Sequence, residues 1–412
     1  MERIAVIGIG RIGLCLALNL ERAGYDVLGI DKNRDLVRRV GDRTFRSPEP
    51  GVDEALRSAH AFYAADRISV VREFTPGLIF VTVDTPVAEG GGYDHCQIER
   101  VMADLFAPGP AGERTDLVLA CTTSPGYCDS RAGAAEVNGY ALSYSPGFVA
   151  QGSILRDQQL PDQVLIGEAD AQAGDRLELV YRRMCLNRPA VHRMSRLSAE
   201  IAKLATNCAL TMKVAFANAI GDLALRVGAE PERILAAIGA DARIGSGFLR
   251  YGFGFGGPCL PRDNRALNAF AARHGCELLQ AVATDEMNRR HLAFQVGRYL
   301  ETHSIDEPID FDGITYKPGT DSLDESQPLA LAVELARAGR KVVIREQPTV
   351  LVRLRERFGD LFEYRPRAAD GRAGPSGGAV ALEDTASDAS RSASVAPSSA
   401  EPADPIRSHL AR

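Results

Sequence analysis

A cysteine stands in a glycine-rich stretch whose residue types favour chemistry on a bound ligand. The stretch runs from Gly252 to Asp263 as GFGFGGPCLPRD, with the cysteine at position 259. Glycines let a backbone approach a ligand closely, and the prolines around Cys259 are typical of a helix start. The helix dipole favours a thiolate there. We therefore expect Cys259 to be a nucleophile, with Asp263 one helical turn later.

Lys203 and Asn207 form a second group that could do chemistry. They lie four residues apart in Ser198 to Val227, a segment without proline whose apolar residues recur every three or four positions. This periodicity predicts one long helix with both side chains on one face. A cation beside an amide can stabilise an oxyanion. Taken singly, a buried cysteine or a helical lysine is more often structural, so these residues gain weight only together with a cofactor site.

The N-terminal residues predict such a cofactor site. A G-x-G-x-x-G turn follows the predicted strand Arg3–Ile7, and Asp31 ends the next predicted strand. Glycines at these positions allow a tight turn, backbone approach to a pyrophosphate and close helix packing, while the acid can bind ribose hydroxyls. An acid here favours NAD over NADP. The predicted cofactor contacts in the turn are Gly8, Gly10, Arg11, Ile12 and Gly13.

The elements that must position these groups follow from the chain's periodicity. Strand-like apolar runs alternate with amphipathic helices up to about residue 186, which predicts βαβ units in a parallel sheet. The strand signal vanishes from residue 195 to about 273, and a second β/α pattern begins near residue 309. The predicted strands are Arg3–Ile7, Val27–Ile30, Leu78–Val83, Leu117–Ala120, Tyr140–Tyr144 and Val164–Ile166, then Gly313–Tyr316 and Lys341–Ile344.

We predict an α/β protein with a doubly wound Rossmann domain at 1–190 and a helical middle domain at 191–295. A smaller, incomplete α/β domain follows at 296–365, with helices at about Gln327–Ala338 and through Arg357. Residues 366–412 contain mostly Ala, Ser, Gly, Pro, Asp and Arg. Because almost no large apolar side chains are present to offset the entropy of ordering, we predict a disordered tail.

Composition excludes several classes of protein. The chain has 412 residues, of which 45% are hydrophobic and 25% charged, as in soluble globular proteins of two or three domains. A formal net charge of -6 gives no electrostatic reason to bind nucleic acid or anionic membranes. The eight cysteines form no CxxC pair, and the first apolar run is too short to span a membrane. We expect a cytoplasmic protein with reduced thiols and no metal.

Over about residues 1 to 345 the chain resembles the UDP-glucose/GDP-mannose dehydrogenase family. The most specific match is the block at 254–263, and further matches are Val83–Pro86, Thr122 with Pro125-Gly126, Ser145–Phe148, Asp241–Gly245 and Lys317–Asp321. The resemblance implies NAD-dependent oxidation of the primary alcohol of a nucleotide sugar to a carboxylate. It also implies a cysteine thiohemiacetal, a thioester, a central domain that forms dimers, and a homodimer or higher homo-oligomer. The block at 254–263 is slightly more similar to that of the GDP-mannose branch of the family, but it does not distinguish GDP-mannose from UDP-glucose as the substrate.

The resemblance also implies roles for single residues. Cys259 corresponds to the nucleophile, and Lys203, Asn207 and Asp263 to residues that handle the oxyanion, protons and water. Thr122 corresponds to a threonine near the reacting carbon that also borders the cofactor.

The remaining implied roles concern binding. Thr85 and Pro86 correspond to cofactor contacts, and Arg243 to an arginine that reaches the substrate site of a neighbouring subunit. Substrate contacts are implied also for Lys203 and Asn207, and for Phe148, Phe248, Arg250, Gly256 and Lys317.

The chain departs from the family at three acid or base positions. A glutamate associated with thioester hydrolysis is replaced by Gly147, a second glutamate by Gln151, and an arginine by Asp324. A tryptophan motif expected afterwards is missing, which is consistent with a truncated domain, a divergent substrate or an imperfect reading frame.

Three hypotheses follow from these matches and departures. The first is a complete nucleotide-sugar 6-dehydrogenase. The second is a repurposed relative that oxidises a different alcohol or stops at the aldehyde or thioester. The third is a non-catalytic NAD-binding paralogue, which does not explain why Cys259, Lys203, Asn207 and Asp263 are retained together.

Overall fold

The computed structural model describes residues 2–88, 91–367 and 380–381. Apart from residues 366–367 and 380–381, the tail predicted at 366–412 lies outside the described residues.

The N-terminal part is built on one eight-stranded sheet. Its strand order is β3-β2-β1-β4-β5-β6-β7-β8, and all neighbours are parallel except β6 and β7. The strands are β1 (Arg3–Ile7), β2 (Asp26–Ile30), β3 (Phe62–Ala65), β4 (Leu78–Val81), β5 (Thr115–Leu119), β6 (Tyr140–Tyr144), β7 (Gln163–Gly167) and β8 (Ala190–Met194). The helices are α1 (Arg11–Arg22), α2 (Arg34–Gly41), α3 (Val52–Ser58), α4 (Val70–Phe74), α5 (Cys96–Phe106), α6 (Tyr127–Val137), α7 (Ile154–Gln159) and α8 (Ala171–Met184).

The central strands are apolar at nearly every position because helices cover both faces of the sheet. Side chains that alternate along a strand enter opposite cores: Val6 and Phe80 lie in one, and Ala5 and Ile79 in the other. This arrangement confirms the predicted Rossmann-type α/β fold.

The middle part contains only helices. They are α9 (Arg196–Val227), α10 (Pro231–Gly239), α11 (Leu260–Arg273) and α12 (Leu279–Thr302). The Ser195 hydroxyl accepts a hydrogen bond from the Ser198 amide and caps α9, and Gly228 ends the helix with φ 75°. Within the described residues α9 alone is long and apolar enough to cross a bilayer by length and composition, a property shared by core helices of globular proteins.

The C-terminal part is a small α/β unit. Its strands β9 (Ile309–Asp312), β10 (Val342–Glu346), β11 (Glu363–Pro366) and β12 (Val380–Ala381) form a parallel sheet in the order β11-β10-β9-β12. Its helices are α13 (Gln327–Arg337) and α14 (Pro348–Phe358). They cover an apolar core that includes Phe311, Leu335 and Ile344.

The structure corrects several predicted elements. The strand predicted at Gly313–Tyr316 is instead β9, because Gly313 leaves the strand with φ 101° and the Ile314 amide bonds to the Glu346 side chain. Strands β3 and β8 were not predicted, since they form the two edges of the large sheet and bury fewer side chains. The antiparallel pairing of β6 and β7 was also not predicted.

Candidate active site

The three glycines of the turn after β1 occupy three different environments. Gly8 has φ 97° and lies against the backbone of Thr82, and a Cβ on Gly13 would collide with the Gly8 carbonyl. Gly10, the N-cap of α1, has no atom within 4 Å of where its Cβ would be. The backbone at Gly10 is therefore open to a pyrophosphate at a helix N-terminus, so the turn fits a dinucleotide.

The other predicted cofactor residues lie around the same edge of the sheet. Asp31 follows β2 directly, Thr85 and Pro86 lie beyond β4, and Thr122 lies beyond β5. Carboxyl ends of parallel strands share one edge, so these residues border one crevice where the strand order reverses. Ile12 is 43% exposed beside this crevice.

Arg11 joins the turn to the C-terminal unit. Its guanidinium donates a hydrogen bond of 3.2 Å to Asp321 and lies 3.9 Å from the buried carboxylate of Glu49.

Cys259 lies at the start of α11, as the sequence predicts. It is the N-cap residue of the helix, and Pro261 falls in the first turn. The glycines before it pack tightly: a Cβ on Gly256 would collide with the Glu325 carbonyl, and the Gly257 amide bonds to the Asp324 carbonyl at 3.0 Å. The glycine-rich loop of residues 252–259 is thus held against the C-terminal unit.

The electrostatic surroundings of Cys259 differ from the prediction. Desolvation raises the pKa of the Cys259 thiol, although the residue as a whole is exposed. Arg262 and Lys203 oppose the shift, whereas Asp263 and Asp324 add to it. Desolvation therefore opposes the thiolate that a helix start favours, and the reactivity of Cys259 stays a prediction.

Lys203 projects from α9 to the loop after β6. Its Nζ donates a 3.0 Å hydrogen bond to the Gly147 carbonyl and lies 4.3 Å from the centre of the Phe148 ring. Burial lowers the pKa of Lys203, while nearby Asp263 and Cys259 raise it. The buried ammonium is thus poised to lose a proton more readily than a solvated lysine.

Asn207 and Asp263 are in direct contact. The Asn207 amide donates to Asp263 Oδ2 at 2.6 Å, and both side chains are buried. The hydroxyl of Tyr93 donates to Asp263 Oδ1, and Nε of Arg262 lies 3.6 Å from the same oxygen. The structure therefore joins α9 and α11 through a buried carboxylate.

Glu200 connects α9 with the loop that follows β5. Its fully buried carboxylate accepts hydrogen bonds from the Thr123 hydroxyl at 2.8 Å and from the amides of Gly126 and Cys128 at 2.7 and 2.9 Å. These amides lie at the N-terminus of α6, where a negative charge is stabilised. Glu200 fixes the loop of Thr122 relative to Lys203, three residues further along α9.

The remaining residues that we predict to contact the substrate lie in separate segments of the chain. Phe248 adopts φ 62° and packs against Val214, Ala215 and Phe255 in the middle part. Lys317 accepts two hydrogen bonds at its carbonyl, from Thr315 at 3.0 Å and Thr320 at 2.8 Å. Arg250 is exposed.

Arg243 stands apart from the other site residues of its own chain. Its guanidinium is 89% exposed and is paired with Asp241, with a shortest distance of 2.6 Å. The role that the family resemblance implies for Arg243, contact with the substrate site of a neighbouring subunit, stays a prediction.

The three departures from the family pattern lie around this cluster. Gly147 is exposed, and a Cβ there would meet only Val149, at 3.6 Å. The buried Oε1 of Gln151 has no hydrogen-bond partner among the described residues. The backbone carbonyl of Asp324 accepts a hydrogen bond from the Gly257 amide. The negative charge of the Asp324 side chain contributes to the raised pKa of Cys259.

Sequence reasoning assigned no role to Tyr93, Arg262 or Glu200. Arg262 lies in the glycine-rich stretch 252–263 and Glu200 in the helix predicted at 198–227. Their proximity to Cys259 and Lys203 in the sequence could have drawn attention to them. Tyr93 precedes α5 in a segment without a motif, and only the fold brings it to Asp263.

A Rossmann sheet with an open glycine turn and a cysteine beside a lysine, an asparagine and an aspartate defines an NAD-dependent dehydrogenase. The comparisons specify it further. The model of the UDP-glucose/GDP-mannose dehydrogenase family matches at residues 2–185 for the NAD-binding domain and 197–290 for the central domain. The chain belongs to this family, whose members are NAD-dependent nucleotide-sugar dehydrogenases.

Three similar proteins illustrate the relationship. A UDP-glucose 6-dehydrogenase of Pseudomonas aeruginosa is 31% identical over 82% of this chain and 78% of its own. A GDP-mannose 6-dehydrogenase of the same species is 28% identical over 83% and 80%. The solved structure of a UDP-glucose dehydrogenase from Pyrobaculum islandicum has a TM-score of 0.79 and 29% identity, covering 89% of this chain and 86% of that chain.

Proposed function

We propose that the protein oxidises the primary alcohol of a nucleotide sugar of the UDP-glucose or GDP-mannose type to the uronic acid. The observation that carries this proposal is the approach of α9 to the start of α11. Lys203 and Asn207 on one face of α9 lie around Asp263 and Cys259, near the edge where NAD is expected to bind. The names of the relatives indicate the two substrate types.

The proposed reaction has two oxidations and one hydrolysis. NAD, when bound, supplies the hydride acceptor for each oxidation. The Cys259 sulfur adds to the aldehyde carbon, and the carbonyl electron pair moves to the oxygen, which takes a proton. Oxidation of this thiohemiacetal gives a thioester. Water then adds to the thioester carbon, and cleavage of the C–S bond releases the carboxylic acid and restores the thiol.

Lys203 and Asn207 are proposed to stabilise the oxyanion formed when sulfur attacks. A buried cation and a fixed amide act strongly where water is excluded. The lowered pKa of Lys203 also lets it give a proton to that oxygen, and the thiol with its raised pKa must first lose its own. Cys259 reactivity should therefore rise with pH through the neutral range.

The hydrolysis step is where the second hypothesis gains support. Gly147 presents no carboxylate, and Gln151 carries an amide. A chain that forms the thioester but releases it slowly, or passes it to a group other than water, would match these positions. The first proposal and this alternative differ in stoichiometry and product.

The proposal is tested by following NADH absorbance and product mass with UDP-glucose, GDP-mannose and related nucleotide sugars. We expect two NADH and one uronic acid per sugar consumed. A nucleotide sugar without the 6-hydroxyl is the matched control and should give no NADH. One NADH per sugar would indicate a reaction that stops at the aldehyde, and two NADH without free uronic acid would indicate a thioester that is retained or passed to a group other than water. No NADH with any substrate would support a non-catalytic paralogue.

We also propose where these functions lie along the chain. NAD binding is assigned to residues 1–190, subunit contact to 191–295 and the nucleotide sugar to 296–365, with the large sheet continuing through β8 to Met194. The proposed compartment is the cytoplasm, because all eight cysteines are unpaired.

A homodimer through α9 is proposed from its apolar surface. Met212, Phe216, Leu223 and Val227 are 41%, 41%, 57% and 70% exposed. Spacings of 4, 11 and 15 residues place them on one side of the helix. A second copy would cover this stripe, and the exposed Arg243 would be available to the partner's substrate site.

Phe216→Asp is therefore expected to convert the protein to monomers of 44.3 kDa in light scattering, because a charge would be buried in the apolar contact. Activity should fall with the mass, since Arg243 would no longer reach a partner. Leu179→Asp, at an exposed apolar residue of α8, is the control and should leave the mass unchanged. A Phe216→Asp protein that keeps the wild-type mass would contradict the interface.

A further inference from the structure

The buried carboxylate of Asp263 has a partner outside the stretches that carry the family resemblance. Asp263 is 1% exposed, and both of its oxygens already accept from protein donors. The carboxylate therefore links its two donors, and a change at one alters how it holds the other. One of these donors is Asn207.

Tyr93 is the partner on Oδ1. It is 4% exposed, and its hydroxyl donates to Asp263. Burial and the negative charge of Asp263 raise the pKa of Tyr93, so the hydroxyl keeps its proton and remains a donor. Because a phenol has one proton, that proton is committed to Asp263.

Tyr93 is also tied to the cofactor side of the site. The Arg262 guanidinium lies 4.9 Å from the centre of its ring and donates to the Thr85 carbonyl at 3.1 Å. The Tyr93 amide donates to the Ser124 hydroxyl at 3.3 Å, two residues after Thr122. Tyr93 thus contacts the segment after β5 through its backbone amide and α11 through its hydroxyl, and Arg262 beside its ring contacts the segment after β4.

We infer that Tyr93 is a positioning residue for the oxidation, holding Asp263 so that Asn207 presents its amide to the oxyanion. This inference rests on the proposed function. Positioning of an oxyanion donor stabilises the transition state more than the bound substrate. The hydroxyl of Tyr93 should accordingly influence the rate of oxidation and not substrate affinity.

Tyr93→Phe removes the hydroxyl and keeps the ring under Arg262. We expect the maximal rate of single-turnover NADH formation, which reports the oxidation itself, to fall about 10-fold to 100-fold, while KM and the Kd for NAD change less than about 2-fold. Tyr127→Phe is a matched control, because the buried Tyr127 also donates to a carboxylate, Glu99, at 2.8 Å. It should leave the single-turnover rate within about 2-fold of the wild type. Circular dichroism and NAD titration verify that each variant is folded.

A double-mutant cycle separates positioning from a general structural effect. Added to Asp263→Ala, the Tyr93→Phe change should lower single-turnover NADH formation by less than about 3-fold, because the side chain that accepts its hydrogen bond is already gone. Equal losses in both backgrounds, or a rise in KM with an unchanged single-turnover rate, would overturn the inference. Wild-type protein without NADH formation on any nucleotide sugar would instead overturn the proposed function, and the inference with it.

Discussion

Cys259→Ala is expected to reduce uronic acid formation by roughly 10³-fold or more, because the acyl intermediate is proposed to form on the sulfur of this residue. The first oxidation needs no bond to sulfur, so the variant should still form up to one NADH per sugar. In the wild type, Cys259 should accumulate an added mass during turnover, since the attacking group is present and the family's glutamate is replaced by Gly147.

Intact-protein mass spectrometry after rapid quenching measures this adduct. The added mass should equal the acyl form of the true substrate and be absent in Cys259→Ala. Cys276→Ala is the control, because Cys276 is also exposed and lies just beyond the far end of α11. The adduct should form faster as pH rises, because the pKa of the thiol is raised and attack needs the thiolate. Full acid production by Cys259→Ala would exclude the covalent mechanism.

Gly147→Glu should accelerate release of the thioester by about 10²-fold to 10⁴-fold, the usual contribution of a general base. The structure allows the substitution, because a Cβ would make only an ordinary contact with Val149 and the backbone of Gly147 is not left-handed. Lys203 bonds to the carbonyl of the same residue at 3.0 Å, so the new carboxylate would originate beside the catalytic cluster.

The decay of the adduct after a single turnover is the measurement. Gly147→Gln is the matched control, since it adds a side chain of the same length without a base. Acceleration by glutamate alone would show that residue 147 limits hydrolysis in the wild type. A wild-type adduct too short-lived to detect, with no gain from Gly147→Glu, would contradict our interpretation of Gly147 as a lost base and would indicate another group in its place.

Local sequence determined the cofactor turn and most of the sheet. The roles of Gly8, Gly10 and Gly13 follow from steric demands within a few residues, and the turn has the environments those demands require. Central strands such as β1 and β6 could be predicted residue by residue, because burial on both faces makes them apolar at nearly every position. The edges β3 and β8 could not, since fewer of their side chains are buried.

Sequence spacing also placed Lys203 and Asn207 on one face of α9, and Cys259 at the start of α11. Which segments pack against this face of α9 and against the start of α11 depends on long-range contacts, and only the tertiary structure decided it. Tyr93 reaches Asp263 across 170 residues of chain. The pKa of Cys259 likewise depends on desolvation and on charges from distant segments, such as Lys203 and Asp324, which the helix start alone does not reveal. Local geometry is fixed by neighbouring residues, whereas desolvation and hydrogen bonding within a buried cluster depend on which distant segments pack together.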